Sequence, residues 1–181
     1  MSLIAGDAIL MRLWEDAQVP GNERAVSRLW NHLFGKHLFS GKKWAVFRQP
    51  TPLYSLSQRI VITIEQFNRG DIETMAFGIH EPAAMDPMRQ DLDRLTKHAF
   101  AACMNYLLDH PGLSRVYAFT SFGTKCRVWS LSRVDTYLVP LFGSLDWWVA
   151  DSYVDLHSPE AAQIRDAVES MKNRWRTYVC G

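Results

Sequence analysis

Apolar residues recur along this chain in blocks of alternating helical and strand spacing. In positions 7 to 16, Ile9, Leu10, Leu13 and Trp14 share one side of a short helix that stops before Val19-Pro20-Gly21. Asn22 then caps a second helix whose Val26, Leu29, Trp30 and Leu33 follow an i, i+3, i+4, i+7 pattern up to Gly35. Residues 44 to 48 form a short strand cut off by Pro50 and Pro52. From 58 to 67 the period changes to two, with Ile60, Ile62 and Ile64 on one face and Arg59, Val61, Thr63 and Glu65 on the other. Asn68 to Asp71 is turn chemistry, so residues 72 to 80 fold back as the antiparallel partner.

A long helix follows, with Asp86 expected as its cap, Pro87 at its first position, and Leu92, Leu95, Ala99, Cys103, Tyr106 and Leu107 as its buried stripe. Residues 115 to 122 and 125 to 131 read as strands around Gly123-Thr124, and 136 to 142 as a further strand. Ser158-Pro159-Glu160 opens the last helix, with Ile164, Val168, Met171 and Trp175 inward. The succession predicts an α/β chain with one central mixed sheet flanked by helices, in a single domain 1–181. Residues 1–21 form an N-terminal helical extension outside a core of 22–172.

Composition narrows the functional classes. With 181 residues and 48% hydrophobic content, the chain can bury one ordinary core. Lys and Arg number 20 against 19 acids, so no overall charge drives it toward nucleic acid or an anionic membrane. The three cysteines are widely spaced and form no CxxC, which points away from a disulfide framework and from cysteine-held zinc. A reducing, cytoplasmic or otherwise intracellular setting is expected. The first residues read as neither a signal peptide nor a membrane span. No P-loop, GxGxxG, GxSxG, HExxH or EF-hand text occurs, and no cofactor is expected.

Five segments carry a family likeness: GNERAVSRLWNHLF, RIVITIEQF, ETMAFGIHEP, the run from Lys97 to Trp129, and DSYVDLHSPEAAQIRDAVESMK. Together, across about residues 22 to 172, they resemble a fungal branch of the restriction-endonuclease-like PD-(D/E)XK superfamily. The resemblance implies an αβββαβ core and, in an active member, an Asp on the second strand, an E-x-K on the third and often a Gln on the next helix, gathered around Mg²⁺ and a scissile phosphate. This sequence departs from that pattern. Arg59 stands where the Asp is expected, Ile79-His80-Glu81 where E-x-K is expected, and Lys97 or His98 near the position of the Gln. Magnesium takes hard oxygen ligands, so a guanidinium in that seat repels it and can pair with Glu81 instead. Glu23, Glu65 and Glu81 are the carboxylates from which a rearranged metal site would have to be built.

A vacated cleft lined by aromatic side chains suits a small organic molecule. On this reading Glu81 is a base or hydrogen-bond acceptor and Arg59 an electrostatic clamp. His80 or His98 acts as an auxiliary proton carrier in a metal-free cyclisation, isomerisation or acid–base step. Strand alternation lets only one of His80 and Glu81 face the cleft, and parity with E-x-K favours Glu81, leaving His80 a structural residue. Glu23, Glu65, Lys97, Lys125, Arg127, Trp129 and Trp148 are the candidate substrate contacts. Lys125, Arg127 and Trp129 alternate on one strand face. They read either as a basic strip for a nucleic-acid backbone or as an ordinary solvated face, and the neutral total charge favours the second. Of Trp147 and Trp148 one is expected to be partly exposed. Competing readings are a non-catalytic homodimeric interaction module and a metal-dependent nuclease with migrated ligands. A small-molecule ligand is expected, with no membrane partner.

Overall fold

The computed structural model describes residues 2–49, 60–68, 70–81 and 86–177. Two helices open the chain, α1 (Ala8–Ala17) and α2 (Glu23–His32). The strands β1 (Trp44–Gln49), β2 (Ile60–Asn68) and β3 (Asp71–Glu81) come next, then α3 (Arg89–Asp109). They are followed by β4 (Arg115–Phe122), β5 (Lys125–Ser132), the two-residue strands β6 (Val139–Pro140) and β7 (Val154–Asp155), and α4 (Ala162–Thr177). The sheet order is β1-β2-β3-β4-β5-β6, with β7 beside β5. Neighbours are antiparallel except β3 and β4, which run parallel because α3 carries the chain between them. This is the mixed, helix-flanked sheet expected from the alternation of periods.

The sheet separates two cores. On one face α1, α2 and α4 supply Leu10, Leu29, Trp30, Ile164 and Met171 against Ile62, Ile64, Phe119 and Val128. On the other, Leu92, Leu95, Ala99, Cys103 and Leu107 of α3 pack on Phe77, Ile79, Val116, Ala118 and Trp129. Gly70, at φ 100°, turns the β2–β3 hairpin in a backbone region that side chains rarely enter.

Several local expectations give way to tertiary packing. The first helix is no outer extension: Leu10 and Ala17 are fully buried in the first core, while Ile9 points outward. Trp14 Nε1 donates to the Asp155 carboxylate at 3.1 Å and Gln18 Nε2 donates to Thr124 Oγ1 at 3.1 Å, fastening α1 to the β4–β5 turn. The helical path does not stop at Gly35 but widens into a π-helical stretch, Leu33–Leu38. That widening lets Leu33, Phe34, Leu38 and Phe39 all reach the core, a gain larger than the glycine's weak helix-breaking preference. Helix α3 begins after Met88, not at Asp86, and Asp91 accepts from the Met88 backbone N–H at 3.0 Å. Ser158 leads into a short 3₁₀ turn, Pro159–Ala161, and its hydroxyl donates back to the Asp155 carbonyl at 2.9 Å. The strand expected over 136 to 142 shrinks to Val139–Pro140, because Pro140 has no N–H to extend the ladder.

No helix among the described residues is long and apolar enough to cross a membrane.

Candidate functional site

Strand alternation sends His80 and Glu81 to opposite faces. His80 is fully buried on the α2 side, its ring stacked on Trp30 at 5.3 Å and 6.0 Å from Phe34. Ser121, its neighbour on the parallel strand β4, hydrogen-bonds Nδ1, while Nε2 has no partner. Burial, reinforced by the Arg48 charge, pushes the His80 pKa from 6.5 down to about 3, so the ring is neutral in the folded protein. A neutral ring walled by Trp30 and Phe34 does not carry protons to a ligand, so the auxiliary role expected for His80 is not supported by its place in the fold.

Glu81 is half-buried at the end of β3, in register with Phe122 and, one strand further, Lys125. Arg59 lies outside the described residues, so the pairing expected between Arg59 and Glu81 does too. Glu23 is at the start of α2, and Glu65 pairs with Thr74 just past the bulge that Met75 makes in β3. His98 is exposed on α3. Among the described residues no three His, Cys, Asp or Glu side chains come together to hold a metal ion. At the E-x-K positions of β3, Ile79 carries no ligand and the imidazole of His80 is enclosed by aromatic rings, which leaves Glu81 as the one hard oxygen donor there.

The space expected as a cleft between β2, β3 and α3 holds Val61, Phe77, Ile79, Leu92 and Leu95, packed in one hydrophobic cluster. The open groove lies on the other flank of α3. It has a volume of about 380 Å³, and its walls are Asp93, Thr96, Lys97 and Phe100 from α3 and Thr136, Tyr137, Leu138, Leu145 and Trp147 from the segment after β5. The α3 contributors stand at i, i+3, i+4 and i+7, one continuous stripe of the helix. Lys97, one of the expected contacts, is here, its ammonium 2.7 Å from the Asp93 carboxylate. Trp148 stands beside the groove, and it is Trp147 that lines it; the two rings meet edge to face at 5.1 Å. Arg89 lies over both, 4.7 Å from the Trp148 centroid and 5.9 Å from that of Trp147.

Neither a basic strip nor a solvated face survives on β5. Lys125 is exposed, but Arg127 and Trp129 are fully buried, the guanidinium 4.2 Å from the indole centroid. Arg127 donates from Nη1 to the Asp146 carbonyl at 2.9 Å and from Nη2 to the Ser144 carbonyl, and so fastens the loop carrying Leu145 and Trp147. Trp129 Nε1 donates to Thr120 Oγ1 at 2.7 Å, and Thr120 meets the Tyr153 hydroxyl at 2.9 Å. Burial pushes the Tyr153 pKa up to about 12.

The groove residues Asp93, Thr96, Phe100, Tyr137 and Leu138 were not singled out by sequence reasoning. The helical spacing of 93, 96, 97 and 100 was the available signal, but it marks a groove only once the chain after β5 lies opposite. Comparison with family models, with curated proteins and with solved structures finds no match to this chain.

Proposed function

We propose that this protein is a restriction-endonuclease-like αβββαβ domain that no longer cleaves phosphodiesters and instead binds a small organic molecule in the groove between α3 and residues 136–147. The element order supports the first part, and the apolar Ile79 and enclosed His80, which leave Glu81 as the one carboxylate at that strand end, support the second. The groove carries the third: its volume of about 380 Å³ falls in the range of small-molecule sites, and five of its nine lining residues are aromatic or aliphatic. Acid–base work on a bound molecule, as in a metal-free isomerisation or cyclisation, would fall here to Lys97 and Asp93 rather than to His80 and Glu81.

A ligand screen followed by melting temperature tests the reading. Binders should raise Tm, and Trp147→Ala should weaken them at least tenfold, as expected of an aromatic anchor. Leu145→Gln, at an exposed wall position, should weaken them without loss of fold. Binders whose effect is untouched by both changes, or cleavage of DNA or RNA with Mg²⁺ or Mn²⁺, would overturn it. A homodimer is favoured by a different observation: Phe67 and Ile72 are cross-strand partners and both exposed, as is Phe47 on β1, the last strand of the described sheet. Light scattering distinguishes that state from a monomer.

A further inference from the structure

We infer that the groove takes a small planar acid, a flat apolar body carrying one carboxylate. The inference rests on the reading of the groove as a ligand site and concerns which ligands it selects.

Three cations stand at the groove. Lys97 lines it, Arg89 lies over Trp147 at one end, and Arg127 is buried directly behind the wall, its two carbonyl partners flanking Leu145. Two carboxylates stand with them. Asp93 is held by Lys97 at 2.7 Å, and Asp146, on an exposed residue, acts electrostatically on Arg127. The hydrogen bonds that hold the Arg127 guanidinium go to neutral backbone carbonyls, and its buried Nε has no partner. Its charge is therefore not neutralised by a bonded acid, and in a dry wall it is weakly screened. The groove is left with an excess of one positive charge.

The remaining polar lining agrees. Thr96 already donates its proton to the Leu92 carbonyl at 2.8 Å, and Tyr137 can donate to a ligand. A ligand amine would sit in the field of Arg89 and of the buried Arg127 and find Asp93 engaged by Lys97, whereas a carboxylate meets the Tyr137 hydroxyl and that unbalanced positive field. Phe100, Tyr137 and Trp147 supply flat apolar surfaces for the body of the molecule.

Three probes of one shape separate charge from fit: 2-naphthoate, 2-naphthamide and 2-naphthylmethylammonium, with Kd measured by calorimetry at low salt. Naphthoate should bind at least tenfold tighter than the ammonium, with the amide between them. Arg89→Gln, a change at an exposed position, should weaken naphthoate about threefold and leave the amide unchanged. Equal binding of all three, each lost in Trp147→Ala, would overturn the acid while keeping the groove as a ligand site. Preference for the ammonium would do the same. No binding by any probe at millimolar concentration would overturn both.

Discussion

Lowering the pH should unfold this protein through His80. In the folded state its pKa is about 3, whereas in the unfolded chain it returns to 6.5. Between those values the unfolded state binds the proton and the folded state does not, so stability rises with pH across the window. His80 therefore costs nothing extra above pH 6.5, and its destabilising effect grows as the pH falls toward 3. Integrating the linkage gives a loss of about 2 kcal/mol between pH 7 and pH 5, approaching about 5 kcal/mol at the acid end. The structure supplies the cause. The ring is enclosed by Trp30 and Phe34, only Nδ1 has a partner, and the protonated ring would hold a charge and an unpaired Nε2–H in that enclosure.

Urea denaturation at half-unit steps from pH 7.5 to 4.5 measures the loss. His80→Asn serves as the reference, since it keeps a polar atom toward Ser121 but cannot titrate. The difference between the two proteins isolates His80, because the other titrating groups are common to both. Wild type should lose about 2 kcal/mol more than the variant between pH 7 and pH 5. Parallel pH profiles, or a His80 NMR resonance titrating near 6.5 in the folded protein, would refute the reasoning.

Other substitutions test the packing that holds the site. A Cβ at Gly78 would sit in ordinary van der Waals contact, 3.4 Å from both Ile62 Cβ and Phe34 Cε2, so Gly78→Ala should be accommodated and, by restricting the unfolded chain, stabilise by up to about 1 kcal/mol in chemical denaturation. Tyr153→Phe removes the buried hydroxyl that meets Thr120, and should cost about 1–2 kcal/mol in chemical denaturation. Asn22 accepts from the Ala25 N–H at 3.2 Å as the cap of α2, and Asn22→Ala should cost about 1 kcal/mol without affecting ligand affinity.

The strands β2 to β5 were legible in the sequence because their information is local. Ile62 and Ile64 against Val61 and Thr63 state which face is which, and Gly70 and Gly123-Thr124 mark where the chain reverses. The stripe of α3 was legible for the same reason. What local patterning does not carry is the identity of the cover. Parity correctly puts Lys125, Arg127 and Trp129 on one face of β5, yet Arg127 is buried because Ser144 and Asp146, seventeen and nineteen residues onward, supply the carbonyls that hold it. The π-helical stretch escaped for a related reason: Gly35 is read as a stop only when the burial of Leu38 and Phe39 beyond it is unknown.

The position of the groove follows from how the second face of the sheet is covered. On the first face, α1, α2 and α4 interlock over the strands and leave a dry core around Trp30 and Ile62. On the second, a single helix packs over β3 and β4, and the strip of sheet around β5 is closed by irregular chain after Arg133. A helix and an irregular segment have no common ridge spacing with which to interdigitate, so a seam opens between them. One wall is fixed by Arg127, which holds the loop at Ser144 and Asp146 beside Trp129. The same guanidinium thus shapes the wall and charges it, which ties the groove's geometry to the kind of molecule it selects.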